Sequence, residues 1–302
     1  MLKRLHIYCK ERYPILPRLL LGFIVFCEIY FIVLMNSGIT DFQFGIQECI
    51  GGFTVFAFLL WLRIADDLKD DETDKVLFPD RPLASGRVHK KDVVLFCALV
   101  QAAAVVLHIL FMPPRSWIFF GILYFYGFLM SKWFFQKSKI QPSLPLALVT
   151  HNPVQAIVNL YIIAFTCIKY PAVKPFSLYT ILALFTLYFP ALIWEISRKI
   201  RAPKDETAYV TYSKLFGYKK ATRFVLLITW VDILTNLLLV RNLNRISVVV
   251  LLLLVSWMTW KFAQFIRDPE RFTLVKKVEL YTYLQETTML LTVAAFLIWG
   301  RI

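Results

Sequence analysis

The chain has 302 residues, of which 59% are hydrophobic and 16% aromatic, and its mean hydropathy is +0.62. That is more apolar surface than a soluble core of this size hides, so the composition excludes a soluble globular domain and points to a membrane. Lys and Arg outnumber Asp and Glu by 34 to 20, a net charge of +14, yet no basic and aromatic nucleic-acid module goes with the excess. Nucleic acid is therefore not an expected partner; the lipid bilayer, its anionic heads and phosphorylated ligands are.

Apolar runs of roughly 17 to 25 residues read as spans. Nine of them fall near 17–36, 44–63, 92–111, 116–132, 143–165, 176–196, 221–240, 246–264 and 280–299. The expected fold class is an all-α, multi-pass integral membrane helical bundle of about nine transmembrane helices, forming a single domain over 1–302. Pro142, Pro145 and Pro153 lie where a helix would start or kink. The first run is long and lacks a small-x-small cleavage site, so it reads as a retained span. Cys9, Cys27, Cys49, Cys97 and Cys167 are scattered singly, and no His pair has ligand spacing, so neither a zinc site nor a disulfide framework is indicated.

Charge orients the spans. With the N-terminus in the cytoplasm, all but six of the 34 Lys and Arg fall on the cytoplasmic side. The six outside are Arg115, Lys169, Lys174, Arg241, Arg245 and Arg301, an asymmetry that follows the positive-inside rule. The expected setting is a prokaryotic plasma membrane, with the loops at about 63–91 and 197–220 sharing a cytoplasmic mouth.

The first of these loops is the most informative stretch. Asp66, Asp67, Asp70, Asp71, Glu72 and Asp74 crowd together directly after the second span. At about 2.5 to 3.5 kcal/mol for each charged group at a bilayer centre, such a cluster belongs at a water-filled mouth. Asp66, Asp70 and Asp74 recur at i, i+4 and i+8, so on one continuous helix they form a ladder along a single face, with Asp71 off it. Hard divalent cations bind carboxylate oxygens of this kind.

The whole stretch runs R-I-A-D-D-L-K-D-D-E-T-D-K-V-L-F-P-D-R-P-L-A-S-G-R-V, Arg63 to Val88. It resembles the UbiA-type intramembrane prenyltransferases, which carry N-D-x-x-D-x-x-x-D at the end of their second span and then P-x-R-P-L-x-S-G. Here the first motif reads Asp66, Asp67, Asp70 and Asp74, with Asp in place of the leading Asn, and the second reads Pro79, Arg81, Pro82, Leu83, Ser85 and Gly86. The resemblance implies that Mg2+, held by Asp66, Asp67, Asp70 and Asp74, grips the diphosphate of an isoprenyl donor while the allylic carbon–oxygen bond ionises, with Asp66, Asp70 and Asp74 as the catalytic set. Arg81 and Lys132 are the implied phosphate contacts. Lys132 lies six residues after Tyr126, similar to a Y-x-x-x-x-x-K pattern in some members.

In the loop after span six the match frays. When Glu195-Ile196 and Gly217 are aligned with their family counterparts, the three acids of the second motif fall on Lys199, Ala202 and Glu206. Only Glu206 remains as a metal ligand, and Lys199 and Arg201 become candidate phosphate contacts. Asn152, with His151, Gln155 and Asn159, could orient the acceptor or simply tie helices together. The acceptor itself is not readable. Other activities of the resemblance are terpene cyclisation, phosphoribosyl transfer to a lipid phosphate, and non-catalytic prenyl-lipid binding. A transporter fits less well, because transport sites favour the midplane of repeated halves.

Overall fold

The structure, a computed structural model, describes residues 1–207 and 209–300; Arg301, counted above on the outer face, lies outside them. All regular structure described is helical. Among the described residues seven segments, not nine, are long and apolar enough to cross a membrane: Ile15–Asn36, Ile46–Lys69, Lys90–Phe111, Leu144–Lys169, Leu178–Ser197, Tyr218–Val240 and Arg245–Arg267. The expected fourth span is the helix Ser116–Ser131, whose 16 residues reach about 24 Å against a hydrocarbon core of about 30 Å. The expected ninth lies in Val275–Trp299, which is long enough but carries Glu279, Gln285 and Glu286 among its apolar residues.

The chain divides into two compact units, Met1–Cys27 with Asp41–Phe135, and Glu28–Thr40 with Gln136–Ile302. The first holds α1 (Leu2–Glu11), the start of α2 (Ile15–Asn36), α3 (Ile46–Lys69), α4 (Asp71–Leu77), α5 (Lys90–Phe111) and α6 (Ser116–Ser131). Its core joins Tyr8 and Tyr13 to Phe56, Ala57, Leu60 and Ile64 of α3 and Val93, Cys97 and Ala104 of α5. Missing side chains let helices close up, as is usual between membrane helices. A Cβ on Gly127 of α6 would sit 2.6 Å from the Trp61 ring and 2.8 Å from that of Phe58 on α3. After α6 the backbone turns through Trp133, Phe134 and Phe135 with φ of 52°, 49° and 57°, three consecutive residues in the left-handed region.

The second unit holds the rest of α2, then α7 (Lys137–Ile140), α8 (Leu144–His151), α9 (Val154–Lys169), α10 (Leu178–Phe185), α11 (Tyr188–Ser197), α12 (Tyr212–Phe216), α13 (Tyr218–Val240), α14 (Arg245–Arg267) and α15 (Val275–Trp299). The expected fifth span is broken between α8 and α9 at Asn152-Pro153, as its prolines suggest. The expected sixth is not continuous either. It breaks at Thr186-Leu187, where Leu187 has φ 63°, and Asn159 of α9 donates its side-chain amide to the freed carbonyls of Leu184, at 3.0 Å, and Thr186. Asn159 is thus a helix-to-helix tie.

Candidate active site

Helix α3 runs on past the apolar part of the second span and stops at Lys69. Asp70 then takes φ −97° and ψ 5°, and α4 begins at Asp71. This kink breaks the expected ladder. Asp66 and Asp70 are still one turn apart, with the Asp70 amide donating to the Asp66 carbonyl at 3.0 Å, but Asp74 belongs to another helix. The acids that share a cleft are instead Asp67, Asp71 and Asp74, with Tyr8, Arg12 and Arg81. The cleft, about 10 Å3, has room for about one water.

Each inward acid is neutralised by named partners. Asp67 accepts from the Tyr8 hydroxyl at 2.8 Å and from the Arg12 and Arg63 guanidiniums, both at 2.5 Å. Burial and the Asp67 carboxylate push the Tyr8 hydroxyl well above its usual range, so it stays a donor. Asp74 pairs with Arg81 at 2.5 Å, and Arg81 also lies over the Phe78 ring at 3.9 Å. Asp71, which the ladder left off the working face, is buried, with Lys90 2.6 Å and Lys75 2.9 Å from Oδ2. Burial alone would raise its carboxyl, yet those two ammonium groups hold it below the usual carboxylate value. Stability from the two Asp71 pairs is therefore present above the ordinary carboxylate range and lost as pH falls through the lowered Asp71 value.

Asp66 and Asp70 differ from these. Asp66 is 46% exposed and meets Lys69 at 2.7 Å, while the Lys69 ammonium also lies 4.4 Å over the Trp133 ring. Asp70 makes no ion pair among the described residues. Its carboxyl is pushed above the usual value, first by burial and then by the charges of Asp66, Asp74 and Asp67, although nearby Lys69 opposes the shift. A carboxyl so placed gains from a bound cation, and its neighbours are hard oxygen donors suited to Mg2+. Among the described residues, however, no three His, Cys, Asp or Glu side chains converge in metal-binding geometry.

A groove of about 470 Å3 opens beside Asp66 between α3, α5 and the end of α6. Trp61, Leu68, Val94 and Cys97 form apolar walls, and Lys69 and Lys132 the charged end. Gln101, also in the wall, donates to the Ala57 carbonyl at 2.9 Å and accepts from the Tyr124 hydroxyl at 2.7 Å. The Tyr124 ring stacks on Trp61 with centroids 5.4 Å apart. Tyr126 sits behind, edge-on to Phe134. Sequence reasoning missed Trp61, Lys69 and Gln101; a Gln inside an apolar run was the available signal.

In the second unit, Lys199 pairs with Glu195 at 2.8 Å, and Glu195 also meets Arg198 at 2.5 Å. Arg201 reaches the Thr207 hydroxyl at 3.0 Å. Glu206 accepts from the hydroxyls of Ser213 and Thr211 at 2.5 and 2.7 Å, closing the loop onto the start of α12. Asn152 caps α8 without joining this network.

Residues 22–298 match the model of the UbiA prenyltransferase family, and the chain belongs to that family. It is a membrane-embedded enzyme that transfers an isoprenyl group. No curated protein matches its sequence. The fold resembles the solved structure reported for digeranylgeranylglyceryl phosphate synthase in membranes, with a TM-score of 0.64 over 99% of each chain at 16% identity.

Proposed function

We propose that the groove of the first unit takes the chain of an isoprenyl diphosphate, with the diphosphate lying at Asp66, Asp70 and Asp74. The observation that carries this reading is the groove itself, whose apolar walls end at Lys69 and Lys132 beside Asp66. Mg2+, the typical requirement of the family, would be held by Asp66 and Asp70, with Asp74 joining only on release from Arg81, and would neutralise the leaving diphosphate as a Lewis acid. Lys132, which makes no ion pair among the described residues, donates charge-assisted hydrogen bonds to phosphate oxygens. Asp74 and Arg81 would have to exchange partners for this, Arg81 offering its guanidinium to phosphate once its carboxylate is engaged. Trp61 offers an aromatic face to the allylic cation formed when the carbon–oxygen bond breaks and its electron pair leaves with diphosphate. The apolar walls keep water from that cation. The acceptor then supplies the electron pair of the new bond and gives up a proton.

One Mg2+ per protein is expected. The second motif keeps only Glu206, and that carboxylate is already engaged by Ser213 and Thr211. Titrating Mg2+ against a nonhydrolysable donor analogue measures the number directly. The decisive assay follows diphosphate release from isoprenyl diphosphates of graded length, with and without acceptor. A long isoprenyl donor and a glyceryl phosphate acceptor, suggested by the similar structure's product, are the first combination to try. Release should need Mg2+ and an acceptor, and Lys132→Ala should raise the donor KM about tenfold, equivalent to roughly 1.4 kcal/mol. Cyclic hydrocarbon without acceptor would replace transfer by cyclisation.

A cytoplasmic position for the loop is part of the proposal, supported by the run of Arg63, Lys69, Lys75, Arg81, Arg87, Lys90 and Lys91 in and beside it. Exposed Thr73, changed to Cys, should react with an impermeant reagent from that side alone. Labelling from outside would reverse the orientation.

A further inference from the structure

Six polar side chains from three helices meet within the apolar part of the second unit: Glu28 on α2, Asp232 and Asn236 on α13, and Tyr281, Gln285 and Glu286 on α15. Asp232, Asn236, Tyr281 and Gln285 have no exposed surface, Glu28 keeps 1%, and both Glu286 carboxylate oxygens are shielded. Asn236 Nδ2 donates to Asp232 Oδ1 at 3.0 Å. Beyond that bond the protein leaves much unmet. Glu28 Oε1, both Glu286 carboxylate oxygens, Asp232 Oδ2, Asn236 Oδ1, the Tyr281 hydroxyl and both amide atoms of Gln285 form no hydrogen bond of ordinary geometry among the described residues. Gln285 and Tyr281 nevertheless aim at Asp232, and Glu28 faces Glu286. The titratable groups facing one another across α2, α13 and α15 are these three acids and Tyr281, and no Lys or Arg joins them among the described residues.

Such a group needs a ligand. An ionised acid within a span costs about 2.5 to 3.5 kcal/mol, and each polar atom buried without a partner about 1 to 3 kcal/mol more. Two adjacent carboxylates both accept and neither donates, so they repel and cannot bond to each other. Either protons or a metal cation must intervene. A proton on one carboxyl creates the missing donor between Glu28 and Glu286, and Asp232 in its acid form can donate to Gln285 Oε1, so protons meet the unpartnered atoms with no further ligand.

We propose that Glu28, Glu286 and Asp232 form an intramembrane proton-binding site, holding protons at neutral pH, with Gln285 and Tyr281 as their hydrogen-bonding neighbours. Each binding step joins one proton from water to one carboxylate oxygen, and no electron moves. The site differs from the acid loop, where Asp66, Asp67, Asp71 and Asp74 are each paired with Arg or Lys, and it does not depend on how the donor binds.

Infrared spectroscopy of the full-length protein in lipid nanodiscs tests this directly. At neutral pH a carbonyl stretch of protonated carboxyl should be present, shift in D2O, and weaken in E28Q, D232N and E286Q in turn. The triple variant should lose it entirely. Because amides keep the size of the acids, each single variant gives a reading even if the triple does not fold. A band absent from the parent, or unchanged in every variant, would overturn the proposal. So would a band that appears only when Na+ and K+ are removed, together with a melting temperature raised by either ion, since an alkali cation would then be the ligand.

Discussion

Asp70→Asn is expected to lower turnover by about 100-fold or more, corresponding to roughly 3 kcal/mol of lost stabilisation of the departing diphosphate. Asp70 sits at the kink between α3 and α4, partly buried among other acids and without an ion pair among the described residues. A neutral amide keeps the shape and removes the charge that a cation would answer. Thermal stability should hold or rise slightly, because the change relieves repulsion from Asp66, Asp67 and Asp74. Asp71→Asn should do the reverse. It strips two ion pairs from a buried carboxylate and so lowers the melting temperature, while leaving the Mg2+ titration unaltered. Steady-state kinetics over a range of Mg2+, run beside thermal unfolding, separates the two variants. Similar loss of Mg2+ dependence in both would remove Asp70 from its role.

Asp67→Asn should destabilise the first unit by about 2 to 3 kcal/mol, toward the lower end for breaking a buried ion pair because Arg12 and Arg63 can still reach water. The aspartate is only 5% exposed and is the point where α1 fastens to α3. Tyr8→Phe removes one hydrogen bond of that fastening and should cost about 1 kcal/mol. Limited proteolysis reads the consequence: cleavage between α1 and α2, around Tyr13-Pro14, should quicken in both variants and more in Asp67→Asn. Unchanged cleavage with a lowered melting temperature would mean that Asp67 supports α3 alone.

The difference between Asp67 and Asp70 shows where sequence reading stops. Helical periodicity and charge cost located the acid loop and its membrane-edge setting without a structure. They treated 66 to 74 as one helix, and no residue pattern there announced the kink at Asp70 that puts Asp74 on another element. Nor could spacing reveal that Tyr8 and Arg12, more than fifty positions upstream, would claim Asp67. Long-range pairing of this kind depends on tertiary packing. The short helix α6 fails as a span for a different reason: the expected run, 116–132, is already at the lower limit of about 17 residues, and the helix ends at Ser131 just before the backbone turns through Trp133, Phe134 and Phe135.

Those three aromatic residues hold a conformation in which each costs roughly 1 to 2 kcal/mol. They do so directly after Lys132, and their rings touch the surroundings of the groove: Trp133 lies under the Lys69 ammonium and Phe134 meets Tyr126. Glycine would sit there with less strain but would remove the ring beneath one of the groove's two lysines. The turn therefore marks a place where thermostability and donor affinity pull apart, and an effort to engineer a hardier enzyme should leave residues 133 to 135 alone.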